Sequence, residues 1–142
     1  MSAEANKALV KRYWDGKWNQ RCPGILDELQ TPDVAYHGPS CEMQGLDQYK
    51  DLYNIYLTAL QETQVTVEDL IAEGEKVVSR IVLRGVNGGP LPDLPATGRP
   101  VVLTLFTIFR IVDGKIAEEW EAYDELGFMQ QLGLELKPKA EL

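Results

Sequence analysis

The chain has 142 residues, of which 44% are hydrophobic and 25% charged, and carries a formal net charge of −8. Phosphate binding needs clustered Lys and Arg, so this acidic balance excludes nucleic acid and an anionic membrane as partners. No stretch approaches the roughly 18 consecutive apolar residues of a membrane span, and residues 1–142 read as one globular domain burying about two thirds of its unfolded surface.

A first helix is expected from about Ala3 to Trp18, because Leu9, Val10, Tyr13 and Trp14 recur at helical spacing. Pro23 opens a short helical turn, Gly24 to Leu29, which Thr31-Pro32-Asp33 breaks. Val34 to His37 then reads as a short strand ending at Gly38-Pro39. A second long helix is expected from about Leu46 to Leu60, with Tyr49, Leu52, Tyr53, Tyr56, Leu57 and Leu60 along one stripe.

Beyond Leu60 the period changes from helical to alternating. Gln64 begins a strand whose alternation slips at Asp69-Leu70-Ile71, as a bulge would cause. Gly74-Glu75 turns it into a strand from Lys76 to Gly85, and a Gly/Pro-rich loop runs from Asn87 to Gly98. The run Val101 to Ile111 leads into Asp113-Gly114, a strong hairpin signal, and a return strand follows. A short helix, Glu125 to Leu132, precedes a charged tail over 134–142. Helices first and a meandering sheet afterwards predict an α+β domain in which helices cover one face of a curved antiparallel sheet and leave a concave cavity. Tyr13, Trp14, Tyr53 and Trp120 are expected to line it.

Simple alternation along the return strand places Ile116, Trp120, Ala122 and Asp124 on one face. A carboxylate desolvated among such neighbours has its pKa raised toward the range useful for proton transfer, making Asp124 the candidate general base. Asp is also a favoured N-cap for the helix starting at Glu125, and the two roles are compatible.

These residues carry a resemblance. Pro95-Ala96-Thr97-Gly98-Arg99, Phe109 through Ile116, Glu118-Glu119-Trp120, Asp124 and Gln131-Leu132-Gly133 together resemble the SnoaL-like polyketide cyclase family, within the nuclear-transport-factor-two-like superfamily. The resemblance runs from the first helix to Gly133. It implies a cone-shaped fold with a deep pocket, a homodimer or higher oligomer formed through the sheet, and an intramolecular aldol condensation of a polyketide ester without metal or cofactor. It also implies an acid at the end of the last strand, where Asp124 stands, and pocket positions for His37, Tyr13 and Trp120. The chain departs from the family pattern in two places. Arg84-Gly85-Val86-Asn87 lacks the His common after the third strand, and Glu119 replaces a His that often precedes the Trp.

His37 is the single histidine, so any imidazole chemistry must use it; Arg80 is a further candidate for orienting a ligand oxygen. The acidic groups Asp27-Glu28, Glu68-Asp69 and Glu118-Glu119-Glu121 have no His at ligand spacing, so no metal is expected and they read as solvated faces. The two cysteines, Cys22 and Cys41, form no CxxC motif and fit a reducing, cytoplasmic setting. The expected activity is therefore proton abstraction α to a carbonyl in a small hydrophobic compound, as a cyclase or isomerase. A non-catalytic binder of hydrophobic small molecules is the alternative from another class. The Val101–Ile111 strand is apolar on both faces, so its outer face is expected to pair with a second copy.

Overall fold

The protein, analysed as a computed structural model, is described over residues 2–140. Helix α1 (Ala3–Trp14) is capped by the Ser2 hydroxyl, which accepts from the Ala5 amide, and buries Leu9, Val10, Tyr13 and Trp14. It continues as a wider π-type turn over Asp15–Asn19 rather than as regular α-helix to Trp18. The wide turn slows the rotation of the chain, so Trp14, Lys17 and Trp18 all face inward. Helix α2 (Gly24–Leu29) and strand β1 (Gln30–His37) follow. Strand β1 begins earlier than expected and accommodates Pro32 beside a register shift between Gln30 and Ala35. Strand β2 (Glu42–Gln44), too short to show a period, pairs with it.

Helix α3 (Leu46–Ala59) leads to strands β3 (Gln61–Glu73), β4 (Lys76–Val86), β5 (Pro100–Val112) and β6 (Lys115–Tyr123), and helix α4 (Glu125–Gln131) closes the order. The six strands form one sheet in the order β2-β1-β6-β5-β4-β3. Every pairing is antiparallel except β1 with β6, which is parallel. The fold class is the expected α+β architecture, a curved sheet with helices packed on its inner face. Asp113 and Gly114 both adopt left-handed backbone (φ 51° and 76°), the geometry of a type I′ hairpin turn. The slip foreseen near Asp69 is a register shift between Val67 and Asp69.

On β5, Val101, Leu103, Leu105, Thr107, Phe109 and Ile111 point into the core, while Val102, Phe106 and Ile108 stay 47%, 50% and 38% exposed on the outer face. No helix among the described residues is long and apolar enough to cross a membrane.

One irregularity decides which β6 side chains face the core. Ile111 pairs with Ile116 but Arg110 pairs with Glu118, so Ala117 is an extra residue in β6. A one-residue slip moves every later side chain to the other face. Glu119, Glu121 and Tyr123 therefore lie opposite the inward Phe109, Thr107 and Leu105. Trp120 and Ala122 lie opposite the outward Ile108 and Phe106.

Candidate active site

Between the inner face of the sheet and α1, α3 and α4 lies a cavity of about 220 Å³. Its walls are largely aromatic and aliphatic: Trp14 and Trp18 from the first helical segment, Tyr49, Leu52, Tyr53 and Tyr56 from α3, Leu83, Leu103 and Leu105 from the sheet, and Phe128 from α4. Pro39, Ser40 and Cys41 line it from the β1–β2 turn. The polar lining comes chiefly from Lys17, Tyr36, Glu121, Tyr123 and Glu125.

Glu121 is held from two sides. The Tyr36 hydroxyl donates to its Oε1 at 2.7 Å and the Thr107 hydroxyl to its Oε2 at 3.2 Å. Burial and the Glu121 charge push the Tyr36 phenol well above its ordinary pKa, so it remains a donor. Two strand neighbours thus aim one carboxylate into an apolar cavity, a fixed orientation that proton abstraction requires.

Beneath the cavity lies a second polar group. Lys17, 7% exposed, brings its Nζ to the Tyr49 hydroxyl at 2.5 Å and the Tyr13 hydroxyl at 3.1 Å, and those hydroxyls lie 2.6 Å apart. Five aromatic rings surround Nζ, from Tyr49 at 4.8 Å to Tyr53 at 5.9 Å. Gln30 donates to Glu119 Oε2 at 3.2 Å and to the Tyr13 hydroxyl at 3.4 Å. Glu119 is 1% exposed, and burial pushes its carboxyl up to about 7 against the opposing pull of Lys17. Burial lowers the Lys17 pKa, with Glu119 and Glu121 partly restoring it. Tyr13 and Tyr49 are raised well above ordinary phenols, first by burial and then by Glu119.

The residues expected from the sequence divide sharply. Trp14 and Tyr53 line the cavity. Tyr13 is fully buried one layer below, with its hydroxyl on Lys17 and Tyr49. Asp124 corrects the sequence reading. It is exposed and caps α4, its Oδ1 accepting from the Gly127 amide at 2.8 Å. A Cβ at Gly127 would come within 2.2 Å of Asp124 Oδ2, so glycine there makes room for the capping carboxylate. Strict alternation had put Asp124 on the cavity face, and the extra Ala117 reverses that parity.

The same reversal carries Trp120 outward, where it stacks on His37 with ring centres 5.5 Å apart and Lys76 lies over its ring. His37 follows the inward Tyr36 on β1 and so also faces out. It bonds Glu118 at 2.7 Å and Glu42 at 2.5 Å; the Glu118 contact raises the imidazole pKa and, reciprocally, lowers that of Glu118. Arg80 is on the outer side of β4, paired with Asp69. The acidic group Glu118-Glu119-Glu121 is no uniform solvated face, because Glu119 is in the core and Glu121 in the cavity. Simple periodicity could not find Lys17, Tyr36, Glu119 or Glu121, and it gave Tyr49 as a residue of the α3 stripe without its polar partners. The one available signal was Glu119, standing where the family pattern often has a His before the Trp.

A curved sheet closing with its helices on an aromatic cavity is the α+β architecture of the nuclear-transport-factor-two-like fold class. The SnoaL-like polyketide cyclase family model matches residues 8–132, and the chain belongs to that family. It is similar to aklanonic acid methyl ester cyclase DauD of Streptomyces sp. (strain C5), with 31% identity over 129 residues covering 89% of this chain and 78% of the relative. The corresponding cyclase DnrD of Streptomyces peucetius is 30% identical, covering 89% and 87% of the two chains. Among solved structures, TsrD from Streptomyces laurentii superposes with a TM-score of 0.82 at 28% identity, covering 94% of this chain and 98% of that one.

Proposed function

We propose that this protein is a cyclase that closes a ring on a polyketide ester by intramolecular aldol condensation, with Glu121 as the general base. Membership of the cyclase family and the ester cyclase activity for which its relatives are named support the reaction class. The single observation that carries the assignment is the Glu121 carboxylate in the aromatic cavity, oriented by Tyr36 and Thr107.

The chemistry needs only a base and a hydrogen-bond donor. Glu121 takes a proton from the carbon α to a carbonyl, and the carbonyl oxygen gains charge as the enolate forms. The Tyr49 hydroxyl, beside Lys17 and bordering the cavity, donates to that oxygen. The enolate carbon then attacks a second carbonyl of the same molecule, and Glu121 returns its proton to the resulting alkoxide. A C–C bond forms, a ketone becomes an alcohol, and the mass is unchanged. The aromatic walls hold the chain folded on itself, which is how orientation lowers the barrier of an intramolecular step.

The assembly inferred here is a homodimer through the outer sheet face, supported by the exposed Val102, Phe106 and Ile108. The free thiols of Cys22 and Cys41 fit a cytoplasmic setting. Aklanonic acid methyl ester is the first probe substrate. Its conversion by wild type and its loss in Glu121→Gln test the reading, and binding without conversion would favour a non-catalytic pocket.

A further inference from the structure

We propose that Lys17 is a second reactive group of the cavity, an amine nucleophile that forms an imine with a ketone or aldehyde carbonyl entering it. The inference rests on the reading of this cavity as a carbonyl-binding site and adds a covalent route to it.

A buried lysine kept only as a structural cation is normally matched to a carboxylate. Among the described residues Lys17 forms no ion pair: its Nζ contacts are the hydroxyls of Tyr13 and Tyr49, and the residue borders the cavity. Apolar burial favours the free amine, the form that attacks a carbonyl. The parts needed for proton movement lie alongside. The Tyr49 hydroxyl bonds Nζ, borders the cavity and shares a hydrogen bond with the Tyr13 hydroxyl, while Gln30 donates to both Tyr13 and Glu119 and holds that carboxyl beside the pair. Glu119, held near 7, can exist with or without its proton at neutral pH.

The step balances without a co-reactant. The amine lone pair adds to the carbonyl carbon, a C–N bond forms, and the oxygen takes a proton to give a carbinolamine. Protonation of that hydroxyl, supplied through Tyr49, lets the C–O bond break and water leave. The resulting iminium is charge-balanced by the Glu119 carboxylate. Its α-proton is more acidic than that of the parent ketone, so removal by Glu121 gives an enamine carbon nucleophile. After ring closure, water adds back and releases Lys17.

The test uses 2,4-pentanedione, a 1,3-diketone whose lysine adduct is a stable enaminone requiring no reductant. The whole protein is incubated at neutral pH and its peptides are mapped by mass. The expected result is a gain of one diketone less one water on the Lys17 peptide. It should form faster than on exposed lysines such as Lys11 or Lys115, because burial lowers the Lys17 pKa and leaves more of it as free amine. Lys17→Met should fold, by circular dichroism, and lack the adduct; if it does not fold, the wild-type map still decides. Glu121→Gln should keep the adduct while losing ring closure, which separates this proposal from the assignment of the base. Modification confined to exposed lysines, with Lys17 untouched in folded wild type, would overturn it, whether or not the ester cyclises.

Discussion

Replacing Glu121 by Gln removes the proposed base while leaving its shape in place. A positioned general base contributes roughly 10²–10⁴-fold in rate, which at about 1.4 kcal/mol per decade is about 3–6 kcal/mol of barrier. The structural loss is smaller. The amide oxygen still accepts from the Tyr36 hydroxyl, now 2.7 Å from the carboxylate, and the Thr107 hydroxyl can rotate to accept from the new amide nitrogen. Exchanging charge-assisted bonds for neutral ones costs about 1 kcal/mol. Ring closure of the probe ester, followed by chromatography, should therefore fall by at least ~10²-fold, with the melting temperature only a few degrees lower. Ester affinity, measured by quenching of the fluorescence of Trp14 and Trp18, should be retained because the aromatic walls are untouched. Unchanged turnover in the folded variant would refute the reasoning. So would a loss of turnover that merely tracks loss of folded protein.

Three further outcomes follow from the same geometry. Asp124→Ala should lower stability by about 1 kcal/mol by uncapping α4, while turnover per folded molecule stays near wild type; a large loss of turnover with unchanged melting would return the base role to Asp124. Glu119 holds its proton more tightly in the fold (about 7) than in the unfolded chain (4.5), so its contribution to stability is fully present below pH 4.5 and is lost as pH rises toward 7. At 1.36 kcal/mol per pH unit that is about 3 kcal/mol, and the melting temperature of Glu119→Gln should be flatter over this range than that of wild type; identical curves would contradict the assignment. Phe106→Asp places a charge on the half-exposed apolar outer face and should weaken self-association by at least ~10²-fold in sedimentation, with little effect on folding; an unchanged assembly would remove this face as the interface.

The elements that carry strong local signals were legible from the sequence. The stripe from Tyr49 to Leu60 gave α3 to within a residue, and Asp113-Gly114 gave the β5–β6 hairpin. The site was legible only in part. Trp14 and Tyr53 were found because a helical stripe reports its buried face directly. Asp124 and Trp120 were misplaced because strand parity can be read only when every residue is paired, and Ala117 has nothing in its chemistry to mark it as the extra one; His37, given a pocket position by the resemblance alone, follows the inward Tyr36 on β1 and faces out. Glu119 and Glu121 looked like a solvated acidic run for the same reason: a period-2 pattern shifted by one residue exchanges inside for outside. Lys17 was invisible at the level of composition, since only the tertiary approach of the Tyr13 and Tyr49 hydroxyls gives its buried Nζ hydrogen-bond partners.

The central claim is that this cavity closes a ring, and it is tested most directly by incubating aklanonic acid methyl ester with the wild-type protein and analysing the product by mass and carbon-13 spectra. The account predicts an isomer of unchanged mass in which one ketone carbon has become an alcohol carbon bonded to the former α-carbon. An ester that binds in the cavity and is recovered unaltered would contradict it.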